Sequence, residues 1–278
     1  MTAVVSPERA PARERVVGVP GVLWLPAALA AGLLILPVVA LVVRADWASL
    51  PADVTTPAAL DALRLSLSTS VLATLACLLL GVPLAVVLAR ADGWPADVLR
   101  ALVTLPLVLP PTVGGIALLY LLGRRGLVGR SLDAWFGLTV PFTTTAVVIA
   151  QAFVAMPFLV LAVEGALRTA GTRFDLVAAS LGAGRWTVLR RITLPLVLPG
   201  LVSGTVLCFA RALGEFGATA LFAGSSPGVT QTMPLAIYAA FNGAGVTQGT
   251  AVALSLLLVA AAVAVLLAAR AWRPGRAA

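Results

Sequence analysis

Arg211 and Glu215 stand one helical turn apart in the run Arg211-Ala-Leu-Gly-Glu-Phe-Gly217. At that spacing on a helix a cation and a carboxylate neutralise one another. An ionisable residue at membrane depth reads as functional, with a named partner. Two roles are open: the pair could brace a gate whose opening exposes Arg211 to an anion, or it could only orient the break at Gly214 and Gly217. Cys77 and Cys208 lie in apolar stretches and read as small packed hydrophobes rather than a redox pair.

Absent residue types exclude other chemistry. Every one of the 19 cations is Arg, and there is no Lys and no His. Without Lys there is no P-loop to hold a nucleotide and no Schiff base. Without His there is no Ser-His or Cys-His nucleophile and no imidazole metal ligand. The chain therefore reads as no enzyme, binding no metal, and any ATP-derived work must come from elsewhere.

The elements that position these groups are membrane helices. Hydrophobic residues make up 60% of the 278 and charged ones 11%, against roughly 45–50% and 25% in soluble domains. A bilayer core of about 30 Å takes roughly 20 apolar residues in helix. Charge-free runs, trimmed at Pro, Gly and polar clusters, predict six transmembrane helices over residues 22–43, 66–89, 102–122, 140–163, 196–213 and 250–269. The expected class is an all-α, polytopic integral membrane protein. The first span, at 22 residues, exceeds a signal-peptide core of roughly 7–15 and should be retained. Residues 1–21 are a tail whose Pro, Ala, Arg and Glu cannot bury a core, and 270–278 form a second tail.

With the N-terminus inside, thirteen Arg fall on the inner side and five on the outer, Arg211 lying within a span. Inner-side cation bias then predicts both termini cytoplasmic. The same bias and anionic head groups explain the basic balance better than nucleic acid. Arg124, Arg125 and Arg130 oppose it; they could attract an anion or an acidic docking surface, or lie solvated.

The third span holds Leu105-Pro-Leu-Val-Leu-Pro-Pro-Thr-Val-Gly-Gly115. Each proline removes a helical hydrogen bond, and broken backbone at membrane depth needs protein or a wet path around it. This span either lines a pathway or is a kinked packing helix. In the fifth span Gly200 and Gly204 permit close helix contact. The cytoplasmic loop 164–195 should hold two short helices, the first capped by Asp175 and ended by Gly182 or Gly184, the second over 185–192. Leu176, Ala179, Trp186, Leu189 and Ile192 give it apolar knobs. They read as a docking surface for a soluble partner, or as an amphipathic interfacial segment.

Gly182, nine residues, then Ile192-Thr-Leu-Pro195 resembles the second half of the EAA loop in permease subunits of bacterial ABC importers. The first half departs: Leu176, Val177 and Ala178 stand where that family has Glu-Ala-Ala, with Asp175 one position early. Arg211-Ala-Leu-Gly-Glu-Phe-Gly-Ala218, Phe222-Ala-Gly224, Leu105 to Gly115, Gly123-Arg-Arg-Gly126 and Thr232-Met-Pro-Leu-Ala-Ile-Tyr238 resemble the molybdate-transport permease family. The likeness spans about residues 60–269, the expected permease core.

The resemblance implies a type I importer bundle in the bacterial plasma membrane, pairing with a second copy and surrounded by membrane lipid. It implies two ATP-binding subunits inside, which use the ATP, and an extracytoplasmic molybdate-binding protein outside. This chain would bind no cofactor. The coupling loop would present Asp175, Leu176, Ala178, Ala179, Gly182, Trp186, Ile192, Leu194 and Pro195. Gate and pathway would use Arg211, Gly214, Glu215, Gly217, Thr112, Ser203 and Thr205, since neutral donors pass a dianion along where a deep cationic site would hold it. Sulfate or tungstate is the alternative cargo. A gradient-driven secondary anion carrier, with Glu215 carrying a proton, is the alternative of another class.

Overall fold

The computed structural model describes residues 20–243 and 248–271. The two expected tails lie outside these residues, except for 20, 21, 270 and 271. The described regular structure is helical. Residues up to Arg44 form a unit of their own, with helix α1 (Trp24–Arg44) carrying Pro37 inside it. With the turn before it, this stretch is 24 residues of span length and apolarity.

The second unit begins at Ala45. Helix α2 (Leu50–Val54) leads into α3 (Pro57–Arg90). Thr56 starts α3 by accepting from Ala59 N, and Pro57 follows at the first helical position, where a missing N–H costs nothing. Asp61 and Arg64 are exposed while Ala59, Ala62 and Ser66 are buried. The charges thus ride on the outward face, and α3 starts nine residues ahead of the expected 66.

The expected single helix over 102–122 is corrected to a bent pair. Helix α4 (Trp94–Val108) and α5 (Pro111–Leu122) meet at 116°, because Pro110 and Pro111 cannot donate and push the preceding residue out of the helical region. Helix α6 (Gly129–Phe136) then leads to α7 (Thr144–Ala170), capped by Thr143. Helix α7 runs seven residues past 163, so residues 164–170 belong to it and the irregular segment begins at Gly171. Next come α8 (Arg173–Ser180), α9 (Arg185–Leu196), and α10 (Leu198–Leu213), the last two meeting at 71°. Pro195 and Pro199 flank that bend. Helices α11 (Gly217–Phe222), α12 (Met233–Phe241) and α13 (Gln248–Ala271) complete the unit.

Among the described residues four helices are long and apolar enough to cross a membrane, and the two bent pairs bring the spans to six when each pair counts as one. Helix α7 is central, packing on α3 and α10. Ala73, Cys77, Ala85, Leu88, Leu159, Val160, Cys208 and Ala212 form their common core, and Cys77 and Cys208 are free thiols within it. A second cluster joins Leu118 of α5, Val147 and Val154 of α7, and Ala218 and Phe222 of α11.

Candidate functional site

The segment Gly171–Pro195 closes one end of the bundle. Gly171 ends α7 at φ +65 and ψ −172 and Gly182 ends α8 at φ +84, backbone that costs other L-residues roughly 1–3 kcal/mol. A Cβ at Gly182 would meet nothing within 4 Å, so the backbone angle alone requires glycine there. Leu176 and Trp186 are 67% and 71% exposed, and Ala179 and Pro195 are exposed too. Ala178 is the buried residue of α8 itself, and Ile192 and Leu194 are half-buried. Phe174, Val177 and Leu181 add to the exposed apolar surface, although sequence spacing did not single them out.

Asp175 is not the cap expected of it. Helix α8 starts at Arg173, with Thr172 in the cap position making no side-chain bond, so Asp175 falls inside the first turn. Its carboxylate turns inward: Arg90 Nη2 lies 2.7 Å from Oδ2, and Thr193 donates to Oδ1 at 2.9 Å. Thr193 reaches it through a π turn over Leu189–Thr193, whose extra residue per turn re-aims the side chains that follow.

Next to this clasp lies an ionic knot. Glu164 Oε1 accepts from Arg100 Nε at 2.8 Å and from Arg168 Nε at 3.0 Å. Arg100 also donates to Asp97, and to Leu88 O at 2.8 Å and Ala91 O at 2.7 Å. Arg168 donates to Leu88 O at 3.2 Å. Two of the carbonyls left open where α3 ends, Leu88 O and Ala91 O, are thereby satisfied. Sequence reasoning missed Arg90, Thr193, Arg100 and Glu164; the Glu164–Arg168 spacing of four was the one available signal.

The two backbone breaks meet away from that end. Arg211 Nη2 lies 2.7 Å from Glu215 Oε2, with side-chain exposures of 27% and 1%. Glu215 stands beyond the end of α10, and its other oxygen accepts from Ala218 N at 2.8 Å, capping α11. Gly214, exposed, ends α10. Gly217 packs on Pro111 and the backbone of Thr112, and Gly115 packs on Ala218. Glu215 thus holds one break while Gly217 seats it against the other, bringing Arg211, Glu215, Gly217 and exposed Thr112 into one region.

Ser203 and Thr205 lie apart, eight and six residues before Arg211 on α10, roughly 12 and 9 Å along its axis. Ser203 is exposed, and the Thr205 hydroxyl donates to Leu201 O of its own helix at 2.8 Å. Gly200 and Gly204 face Ala166 and Ala162 of α7, the close helix contact their spacing suggested.

The family described as "Binding-protein-dependent transport system inner membrane component" matches residues 81–274. The chain is 54% identical over 252 residues to the "Molybdenum transport system permease protein ModB" of Mycobacterium tuberculosis, covering 90% of this chain and 94% of that one. It is 44% identical over 191 residues to the Escherichia coli K12 protein of the same name, covering 69% and 83%. A bacterial alginate ABC transporter in complex with its alginate-bound periplasmic protein contains a chain with the same fold. The TM-score is 0.68 at 18% identity, over 88% of this chain and 92% of that one. The MetNI methionine ABC transporter gives a TM-score of 0.58 at 18% identity, over 75% and 91%. Matched by that family over residues 81–274 and by a relative at 54% identity over nine-tenths of its length, the chain belongs to the family of inner membrane components of binding-protein-dependent transport systems.

Proposed function

We propose that this chain is the permease subunit of an ATP-driven molybdate importer in the bacterial plasma membrane. Two copies form the pathway between them. Two ATP-binding subunits grip the Gly171–Pro195 segment on the cytoplasmic side, where both termini also lie, and an extracytoplasmic molybdate-binding protein delivers the anion to the opposite face. The observation that carries this reading is the likeness to molybdenum transport permeases over nine-tenths of the chain. The apolar surface around Leu176, Leu181 and Trp186 supports the docking role, since a connecting loop alone has no use for it.

The physical logic is mechanical. This chain has no Lys and thus no P-loop; it binds no cofactor, and ATP is used by the partner subunits. Their closure pushes α8 and α9, the bend before α10 carries the movement into the span, and the Glu215 break opens or closes against Pro111 and Thr112. Hydroxyls at Thr112 and Ser203 offer neutral donors to a passing dianion. The test is ATP turnover of the co-purified complex in liposomes. Turnover and uptake should rise with binding protein loaded with molybdate and stay at the basal rate with sulfate; stimulation by sulfate alone reassigns the cargo. Uphill uptake by this chain alone would overturn the reading.

A further inference from the structure

Asp175 is the sole acid between Gly171 and Pro195, a segment that also carries Arg173, Arg185, Arg190 and Arg191. All four cations are exposed, as are Leu176, Val177, Leu181 and Trp186. The acid is drawn back from that surface into the groove between α8 and α9, its side chain 18% exposed and held by Arg90 of α3 and Thr193 of the π turn. What the segment offers to a partner is therefore apolar and basic.

Two glycines with positive φ, Gly171 and Gly182, are the only covalent routes from α8 into the bundle. Neither has a Cβ to pack, so a push on α8 alone would dissipate in their backbone rotations. The Asp175 bonds bypass both. They tie α8 to the last turn of α3 and to the start of the path into α10. The last turn of α3 is itself held, since Leu88 O and Ala91 O accept from Arg100, and Leu88 O also from Arg168.

Resting on the proposed coupling role of this segment, we infer that Asp175 is a positioning residue that acts within the chain: it clasps α8 to Arg90 and Thr193, so that α3, α8 and α9 take up the partner's stroke as one body. The ATP-binding subunit then meets an apolar, Arg-rimmed surface, and its own contact face is an apolar socket with acidic edges rather than a cationic pocket for Asp175.

The test is a double-mutant cycle in the reconstituted complex, reading uptake per ATP hydrolysed and the amount of ATP-binding subunit that co-purifies. Arg90→Ala and Asp175→Asn should each lower uptake per ATP by about tenfold with co-purification unchanged, and the double variant should be no worse than the poorer single one. Thr193→Val should fall as far, while Thr193→Ser, which keeps the hydroxyl, should stay within about twofold. Multiplying losses, a normal Thr193→Val, or loss of the ATP-binding subunit with Asp175→Asn but not Arg90→Ala would overturn the clasp. The same cycle in thermal unfolding of the detergent-solubilised full chain needs no transport. Non-additivity there, together with a parent complex that shows no ATP-driven uptake, puts the failure in the coupling role; additive effects there put it in the clasp.

Discussion

Glu164 Oε1 lies 2.8 Å from Arg100 Nε, and the two side chains are 7% and 24% exposed. The same oxygen is 3.0 Å from Arg168 Nε, whose side chain is 45% exposed. One buried carboxylate thus holds two guanidiniums in place over the end of α3. Removing it leaves Arg168 with no carboxylate and Arg100 with only the exposed Asp97, and breaking a buried pair costs about 3–5 kcal/mol. Glu164→Ala should lie at the low end of that range because both partners reach solvent. Removing the more exposed partner, Arg168→Ala, should cost about 1 kcal/mol or less. Thermal unfolding of the solubilised chain checks the order; equal losses would mean that burial does not set the cost.

Gly182 separates a backbone effect from a packing effect. Its φ of +84 excludes ordinary side chains, while nothing stands within 4 Å of where a Cβ would be. Gly182→Ala and Gly182→Leu, neither branched at Cβ, should therefore impair the chain to a similar degree, about 1–2 kcal/mol at the turn. Gly182→Asn, a residue that tolerates this region, should recover most of it. Uptake by the reconstituted complex, compared at equal amounts of membrane-inserted protein, reads the difference. A graded loss with side-chain volume would instead indicate a steric contact.

The turn at Gly182, the break at Pro110 and the break after Leu213 were legible because Pro and Gly state their backbone constraint locally. Helix ends were less so. Ending spans at the first charge misplaced both α3 and α7, since Asp61 and Arg64 sit on an exposed face and Glu164 is neutralised by Arg100, 64 residues away. The clasp was out of reach for the same reason: Asp175 meets Arg90 across 85 residues, and no linear spacing encodes that meeting. Asp175 was misread as a cap because α8 begins two residues earlier, so an acid that suits the first turn electrostatically was free to bond elsewhere. Arg211 and Glu215 were read correctly as partners, yet the second bond of Glu215, to Ala218 N, depends on where α10 ends.

That second bond gives the pair an ordered set of outcomes. Arg211→Ala leaves a carboxylate that is 1% exposed without its cation, and should cost about 3 kcal/mol. Adding Glu215→Gln removes the stranded charge while its amide oxygen still accepts from Ala218 N, so the double variant should be more stable than Arg211→Ala alone. Glu215→Ala loses both the charge and the cap, and should not be rescued by Arg211→Ala. Thermal unfolding of the four proteins is sufficient; a double variant less stable than Arg211→Ala would show that the carboxylate is not burdened by losing its cation.

The contact between the two breaks is tested at Gly217. A Cβ there would stand 2.8 Å from Pro111 Cβ, inside contact distance, and a proline ring cannot rotate aside. Gly217→Ala must therefore part α5 from α11 or distort the Glu215 turn, at about 1–3 kcal/mol. Gly165, inside α7 with nothing within 4 Å of its Cβ position, supplies the opposite case: Gly165→Ala should stabilise by about 0.5–1 kcal/mol through helix propensity. If the seam between the breaks also has to open during transport, Gly217→Ala should raise basal ATP turnover of the complex relative to uptake, because the pushed-apart seam no longer resists the stroke. A Gly217→Ala protein as stable and as tightly coupled as Gly165→Ala would mean that α5 and α11 are not held together at this point.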